Sequence, residues 1–157
     1  MKIQLLCIGK TNSKELISII KEYEKRLPTF INFEIKELTD IKNAKNLSEN
    51  EIKKQESELL FSHIEKTDFV ILLDEKGKEM SSVDFSQFID FQMNNSIKKL
   101  IFVIGGALGF SKEMKANAQT TISFSKMTFT HQMIRLFFVE QLYRSFSILQ
   151  GKPYHNE

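Results

Sequence analysis

The sequence predicts an α/β fold with a mostly parallel sheet and helices on both faces. Three observations carry the prediction. Short apolar runs alternate with longer segments of helical pattern along the whole chain. Two of the runs, DFVILL at 68–73 and KLIFVI at 99–104, are apolar nearly throughout, the pattern of strands covered on both faces. Helical segments open on capping pairs, a Ser or Asn followed three positions later by an acid. With 157 residues and 41% apolar content, the chain is one domain's worth, 1–157, with a modest core. No linker, repeat or low-complexity segment interrupts it.

The elements follow in order. Residues 2–8, KIQLLCI, make a first strand. Asn12 with Glu15 opens a helix to about residue 26. FEIKEL at 33–38 alternates apolar and polar as a second strand. The polar stretch 39–47 is loop. Ser48 with Glu51 caps a helix to about residue 64. After the strand at 68–73, DEKGK turns the chain, and Ser81 with Asp84 opens a helix to about residue 93. The strand at 99–104 breaks into Gly105-Gly106. A short helix over about 111–118 leads to a fifth strand, TTISF at 120–124. A long helix over about 131–149 follows, and then a tail, 151–157.

The long helix is apolar nearly all round. Phe138, Val139, Leu142, Phe146 and Leu149 form one stripe, and Met133, Phe137 and Ile148 lie nearly opposite. Such a helix is normally buried on more than one side. The sheet covers one face, and a twin subunit is the simplest cover for the other. Arg135 falls within the stripe. Two readings of it stand side by side, an interface salt bridge and a contact to a substrate phosphate.

The net charge of +2 does not announce a nucleic-acid partner, but its distribution is uneven. Residues 1–97 carry 14 Lys+Arg against 17 Asp+Glu, and residues 98–157 carry 8 against 3. The half containing the glycine turn is the basic half, which suits an anionic partner. The single Cys7 sits in an apolar strand and has no partner for a disulfide. With no signal-peptide pattern and no apolar stretch of membrane-spanning length, a cytoplasmic location is the expectation.

The obvious nucleotide motifs fail. GKT at 9–11 lacks the glycine a P-loop requires, because Gln4 stands in its place. Gly105-Gly106-Ala107-Leu108-Gly109 is not a dinucleotide fingerprint, and it follows the fourth strand rather than the first. His63, His131 and His155 are scattered without metal-ligand spacing, so no metal is expected. What remains is a set of loops at strand ends, after Leu73, at Gly105 and over 124–130. In an open parallel sheet, ligands bind at the carboxyl ends of strands. Glycines let the backbone approach a ligand there, and Leu73, Met127 and Phe129 offer apolar walls, a setting suited to a nucleoside.

At these residues a resemblance becomes specific. ILLDEKGK, VIGGALGFS, ISFSKMTFTHQMIRLFFVEQLYRSFSI and the terminal GKPYHNE together resemble the bacterial ribosomal RNA large-subunit methyltransferase H family, within the SPOUT superfamily of knotted methyltransferases. The resemblance covers essentially the whole chain. It implies a trefoil knot formed by roughly 68–150, a homodimer, and S-adenosylmethionine bound in the knot. It implies methylation of N3 of a pseudouridine in large-subunit (23S) ribosomal RNA. Carried over by residue, the cofactor contacts would be Leu73, Gly105, Phe124, Ser125, Lys126, Met127, Thr128 and Phe129. The chain departs from the family pattern at Ala107-Leu108, where a polar or acidic residue often stands, and at Asn156, where a basic one does.

The implied chemistry needs a proton acceptor for N3, and His155 has the right intrinsic range. Tyr154 is suited to stacking on or hydrogen-bonding a base. On this reading Tyr154 and His155 are catalytic, Arg135 and His155 contact substrate, and His131 is structural. The partner is large-subunit ribosomal RNA or the assembled ribosome. Two other classes stay open: a non-catalytic RNA-binding knot protein, and an oxidoreductase-like nucleotide enzyme.

Overall fold

The computed structural model describes residues 1–155. Five parallel strands form one sheet: β1 (Lys2–Ile8), β2 (Asn32–Leu38), β3 (Phe69–Glu79), β4 (Lys99–Ile104) and β5 (Thr120–Ser123), in the order β2-β1-β4-β3-β5. The helices are α1 (Lys14–Arg26), α2 (Glu49–Phe61), α3 (Ser82–Asn94), α4 (Lys112–Asn117) and α5 (His131–Leu149). The α/β reading, the strand count and the parallel pairing all follow the sequence expectation.

Because side chains alternate along a strand, each strand feeds two cores. Ile3, Leu5, Leu100 and Phe102 point to the face covered by α1, α3 and α5. Leu6, Ile8, Ile101 and Val103 point to the face covered by α2 and α4. This explains why β1 and β4 are apolar almost without interruption. Cys7 is buried among them, and burial pushes its thiol up to about 12, so it is an inert core residue.

The caps at Ser48 and Ser81 form as expected, each with its reciprocal acid, Glu51 and Asp84. The first helix is capped one residue later than expected. Ser13, not Asn12, accepts from the Leu16 N–H, while the Asn12 N–H donates to Gln132 at the start of α5. A short 3-10 turn, Ala44–Asn46, interrupts the expected loop. DEKGK does not simply turn the chain. β3 continues through it, bulging between Leu73 and Lys78, and then pairs Lys78 and Glu79 with β5. Gly77 permits this, since a Cβ there would lie 2.7 Å from the Ile122 backbone. In α5 the stripe residues Phe138, Val139, Leu142 and Phe146 are buried as expected, but Leu149 is exposed.

The connections position the site. β3 sends the chain to α3 on one face, and its neighbour β4 sends it to α4 on the other. Chains diverging from adjacent strand ends leave a crevice at the carboxyl edge of the sheet.

Candidate cofactor cleft

That crevice is a cleft of about 670 Å³. Three segments wall it: 73–76 from the bulge of β3, 104–110 after β4, and 122–134 from β5 into α5. Leu73, Gly105, Phe124, Ser125, Met127, Thr128 and Phe129 all line it. Residues more than fifty positions apart in sequence are thus brought together as expected. Lys126 is the exception. Its side chain is 85% exposed and pairs with Glu79 at 3.4 Å, outside the cleft wall.

Local hydrogen bonds explain the loop shapes. After β5, the Ser123 hydroxyl donates to the Ser125 carbonyl at 2.8 Å, and the Ser125 hydroxyl accepts from the Met127 N–H at 2.9 Å. These turns open the segment towards the cleft before Thr130 caps α5. The Thr128 hydroxyl donates to Glu75, tying this loop to the bulge of β3. After β4, the Gly109 N–H reaches the Gly106 carbonyl at 3.1 Å and closes the glycine turn. A side chain on Gly105 would meet the Phe110 ring at 3.0 Å, so glycine keeps the backbone accessible.

The walls differ in character. Leu73, Ile104 and Ile122 are buried apolar residues, suited to a flat aromatic base. Asp74 and Glu75, which follow Leu73, add carboxylates to the lining, where Asp74 also pairs with Lys115 at 3.2 Å. An apolar slot and accessible backbone fit a nucleoside, and the charged groups around them are mixed, with Lys53, Lys76 and Lys115 beside Asp74 and Glu75. The volume lies in the range of small-ligand sites. Asp74, Glu75, Phe110, Lys53 and Lys115 belong to this wall but were not singled out from sequence.

Arg135 is corrected. It is 0% exposed and contacts neither solvent nor the cleft. Its guanidinium donates to the Ile8 and Gly9 carbonyls at 2.9 Å each, to Thr11 at 2.7 Å and to Glu37 at 3.0 Å. It clamps α5 to the ends of β1 and β2 and is closed to a substrate phosphate. Its ion-pair partner is within the chain rather than across an interface. His131, in the first turn of α5, borders the cleft.

Tyr154 and His155 lie away from their own chain's cleft. A left-handed Gly151 (φ +63°) ends α5, with Gly151 N–H donating to Ile148 O and Lys152 N–H to Ser147 O. The tail therefore folds back along α5. The Tyr154 hydroxyl lies 3.2 Å from both the Tyr23 hydroxyl and Glu140, and the Arg144 guanidinium lies 4.7 Å from its ring. Burial, then the bond to Tyr23 and the Glu140 charge, push the Tyr154 phenol above its usual 10.0. His155 Nδ1 lies 3.3 Å from Arg144, which can only donate. Arg144 stands about 15 Å farther along the helix axis than Ile134 of the cleft wall. Asn156 lies outside the described residues.

No helix among the described residues is long and apolar enough to cross a membrane, and no group of three or more His, Cys, Asp or Glu among them could hold a metal ion. A family model described as "predicted SPOUT methyltransferase" matches residues 1–155. A protein of Christiangramia forsetii named ribosomal RNA large subunit methyltransferase H is 54% identical over 156 residues, 99% of each chain. Proteins of the same name from Flavobacterium johnsoniae and Parabacteroides distasonis are 52% and 48% identical over the full length of both chains. A full-length family match and full-length relatives near half identity lead to one conclusion: the chain belongs to the SPOUT methyltransferase family, alongside the ribosomal RNA large subunit methyltransferases H.

Proposed function

We propose that this protein is an S-adenosylmethionine-dependent methyltransferase acting on N3 of a pseudouridine in 23S ribosomal RNA, in the cytoplasm. The observation that carries the reading is the single cleft that gathers Leu73, Gly105 and the 124–129 loop at the carboxyl edge of the sheet. Relatives named for ribosomal RNA methylation support the substrate class.

The cleft residues fit the cofactor. Leu73, Ile104 and Ile122 would hold the adenine, and the backbone around Gly105 and Ser125–Met127 would bind its polar edges. The bound cofactor supplies a methyl group already activated on a sulfonium. The protein's remaining task is to align the base with it and to remove a proton, which is mainly a matter of proximity. His155 is the proposed proton acceptor at N3. Tyr154 serves as a stacking and hydrogen-bonding surface rather than as a base.

The active form is a homodimer packed through the outer face of α5, with the chain knotted around the cofactor loops. Met133, Phe137 and Ile148 are only half-buried within one chain, which supports a covered face. The tail then completes the partner's site. In its own chain it is fastened near Arg144, away from the cleft, while seven extended residues span at most about 23–25 Å.

Calorimetry with S-adenosylmethionine, followed by transfer of its labelled methyl group to ribosomal RNA, tests the reading. Binding and transfer are expected. Tight RNA binding without cofactor binding would favour the non-catalytic class instead.

A further inference from the structure

The glycine turn of the cleft is braced from behind by one carboxylate. Glu56, on the buried side of α2, is 8% exposed. Its carboxylate packs directly against the Gly106 backbone, so closely that a Cβ there would meet both of its oxygens. A methyl group built on Gly106 would overlap that carboxylate, and its three nearest neighbours would all be Glu56 atoms. One turn earlier on α2, Lys53 lines the cleft. The next residue, Ser57, shares a 2.6 Å hydrogen bond with Ser111, the N-cap of α4. α2 therefore holds both ends of the segment from Gly106 to Ser111.

Burying a carboxylate is costly unless it is bonded. Burial pushes the Glu56 carboxyl up. The Gly106 N–H pulls it back, Asp40 adds to the rise and Lys53 opposes it. An apolar side chain would fill the same space without that cost. The distinct contribution of a carboxylate here is an acceptor packed against the glycine backbone, where the Gly106 N–H favours its charged form.

We propose that Glu56 is a positioning residue for the cofactor: by fixing the Gly106 amide, it sets how the adjoining Gly105 backbone faces the cleft. The proposal rests on the reading of that cleft as the S-adenosylmethionine site. Glu56 acts through Gly106 and is not itself among the residues lining the cleft.

The test compares the wild-type protein with Glu56→Ala, Glu56→Gln, Gly106→Ala and the double variant Glu56→Ala/Gly106→Ala. Calorimetry with S-adenosylhomocysteine gives affinity, and steady-state kinetics give KM and kcat. Thermal unfolding without ligand checks the fold of each. Glu56→Ala is expected to weaken affinity about tenfold and to raise KM for the methyl donor with little change in kcat. Glu56→Gln, whose amide oxygen still accepts, restores most of the affinity. Gly106→Ala displaces the carboxylate and so matches Glu56→Ala. The double variant is no weaker than either single one, because all three lose the same contact. If Glu56→Ala fails to fold, Glu56→Gln and Gly106→Ala carry the comparison. Wild-type affinity in Glu56→Ala, a Gln variant no better than Ala, or additive losses in the double variant would overturn the proposal. A wild-type protein that binds no S-adenosylhomocysteine would overturn the reading of the cleft itself, and the proposal with it.

Discussion

Arg135 shows how far a single residue can mislead. An arginine in an apolar stripe signals either an interface or a buried charge satisfied within the fold. Its partners Ile8, Gly9, Thr11 and Glu37 lie 98 to 127 positions away, and no spacing rule connects them. The structure makes it a clamp. Arg135→Met should therefore destabilise the protein by about 2–3 kcal/mol, since the two carbonyls and Glu37 lose their donor. Denaturant unfolding measures this, and a loss below about 0.5 kcal/mol, the usual range for a surface substitution, would show the clamp to be dispensable. Gly105 follows the end of a strand, where a glycine turn points to a backbone approach, and it lines the cleft. Gly105→Val would place its side chain against the Phe110 ring and into the cleft. Calorimetry is expected to find no S-adenosylmethionine binding in that variant, and unchanged affinity would remove Gly105 from the site.

Among the elements, helices were read best, because their caps are local in sequence. Ser48 with Glu51 and Ser81 with Asp84 form the boxes that spacing predicts. Hydrogen bonds from the Ser48 backbone and side chain lower the Glu51 carboxyl below its usual 4.5. Bonds from the Ser81 side chain and backbone lower Asp84 below 3.8. A carboxyl lowered in the folded state contributes stability that is complete above its unfolded value and disappears as pH falls through the folded one. Glu51→Gln and Asp84→Asn should therefore lose less stability than wild type on acidification below about 4.5. Melting temperature measured against pH checks this, and parallel curves would deny the boxes a role. β3 was read too short. Its last six residues carry no apolar side chain, and only Lys78 and Glu79 among them pair with β5, after a bulge in which Gly77 fits against Ile122. That long-range fit leaves no periodic trace in sequence. α5 was read correctly along most of its buried stripe, and the surplus apolar face motivates the dimer. Light scattering at micromolar concentration should find a dimer, whereas a stable monomer would contradict it.

At the scale of the whole molecule, strand alternation made the sheet legible, and strand ends made most of the cleft legible. The tail was not, since its placement depends on where α5 ends and on the left-handed turn at Gly151. Mixed dimers separate the cases. One subunit carries Gly105→Val with an intact tail, and the other carries an intact cleft with residues 151–157 deleted. Completion across the interface predicts one working site, and completion within each chain predicts none. The most direct measurement of the proposed activity is nucleoside mass spectrometry of 23S ribosomal RNA from a strain lacking this protein, with and without the gene restored. The expected result is loss of one methylated pseudouridine, regained with the wild-type gene but not with Gly105→Val. An unchanged set of methylated nucleosides in the strain lacking the protein would contradict the proposed activity.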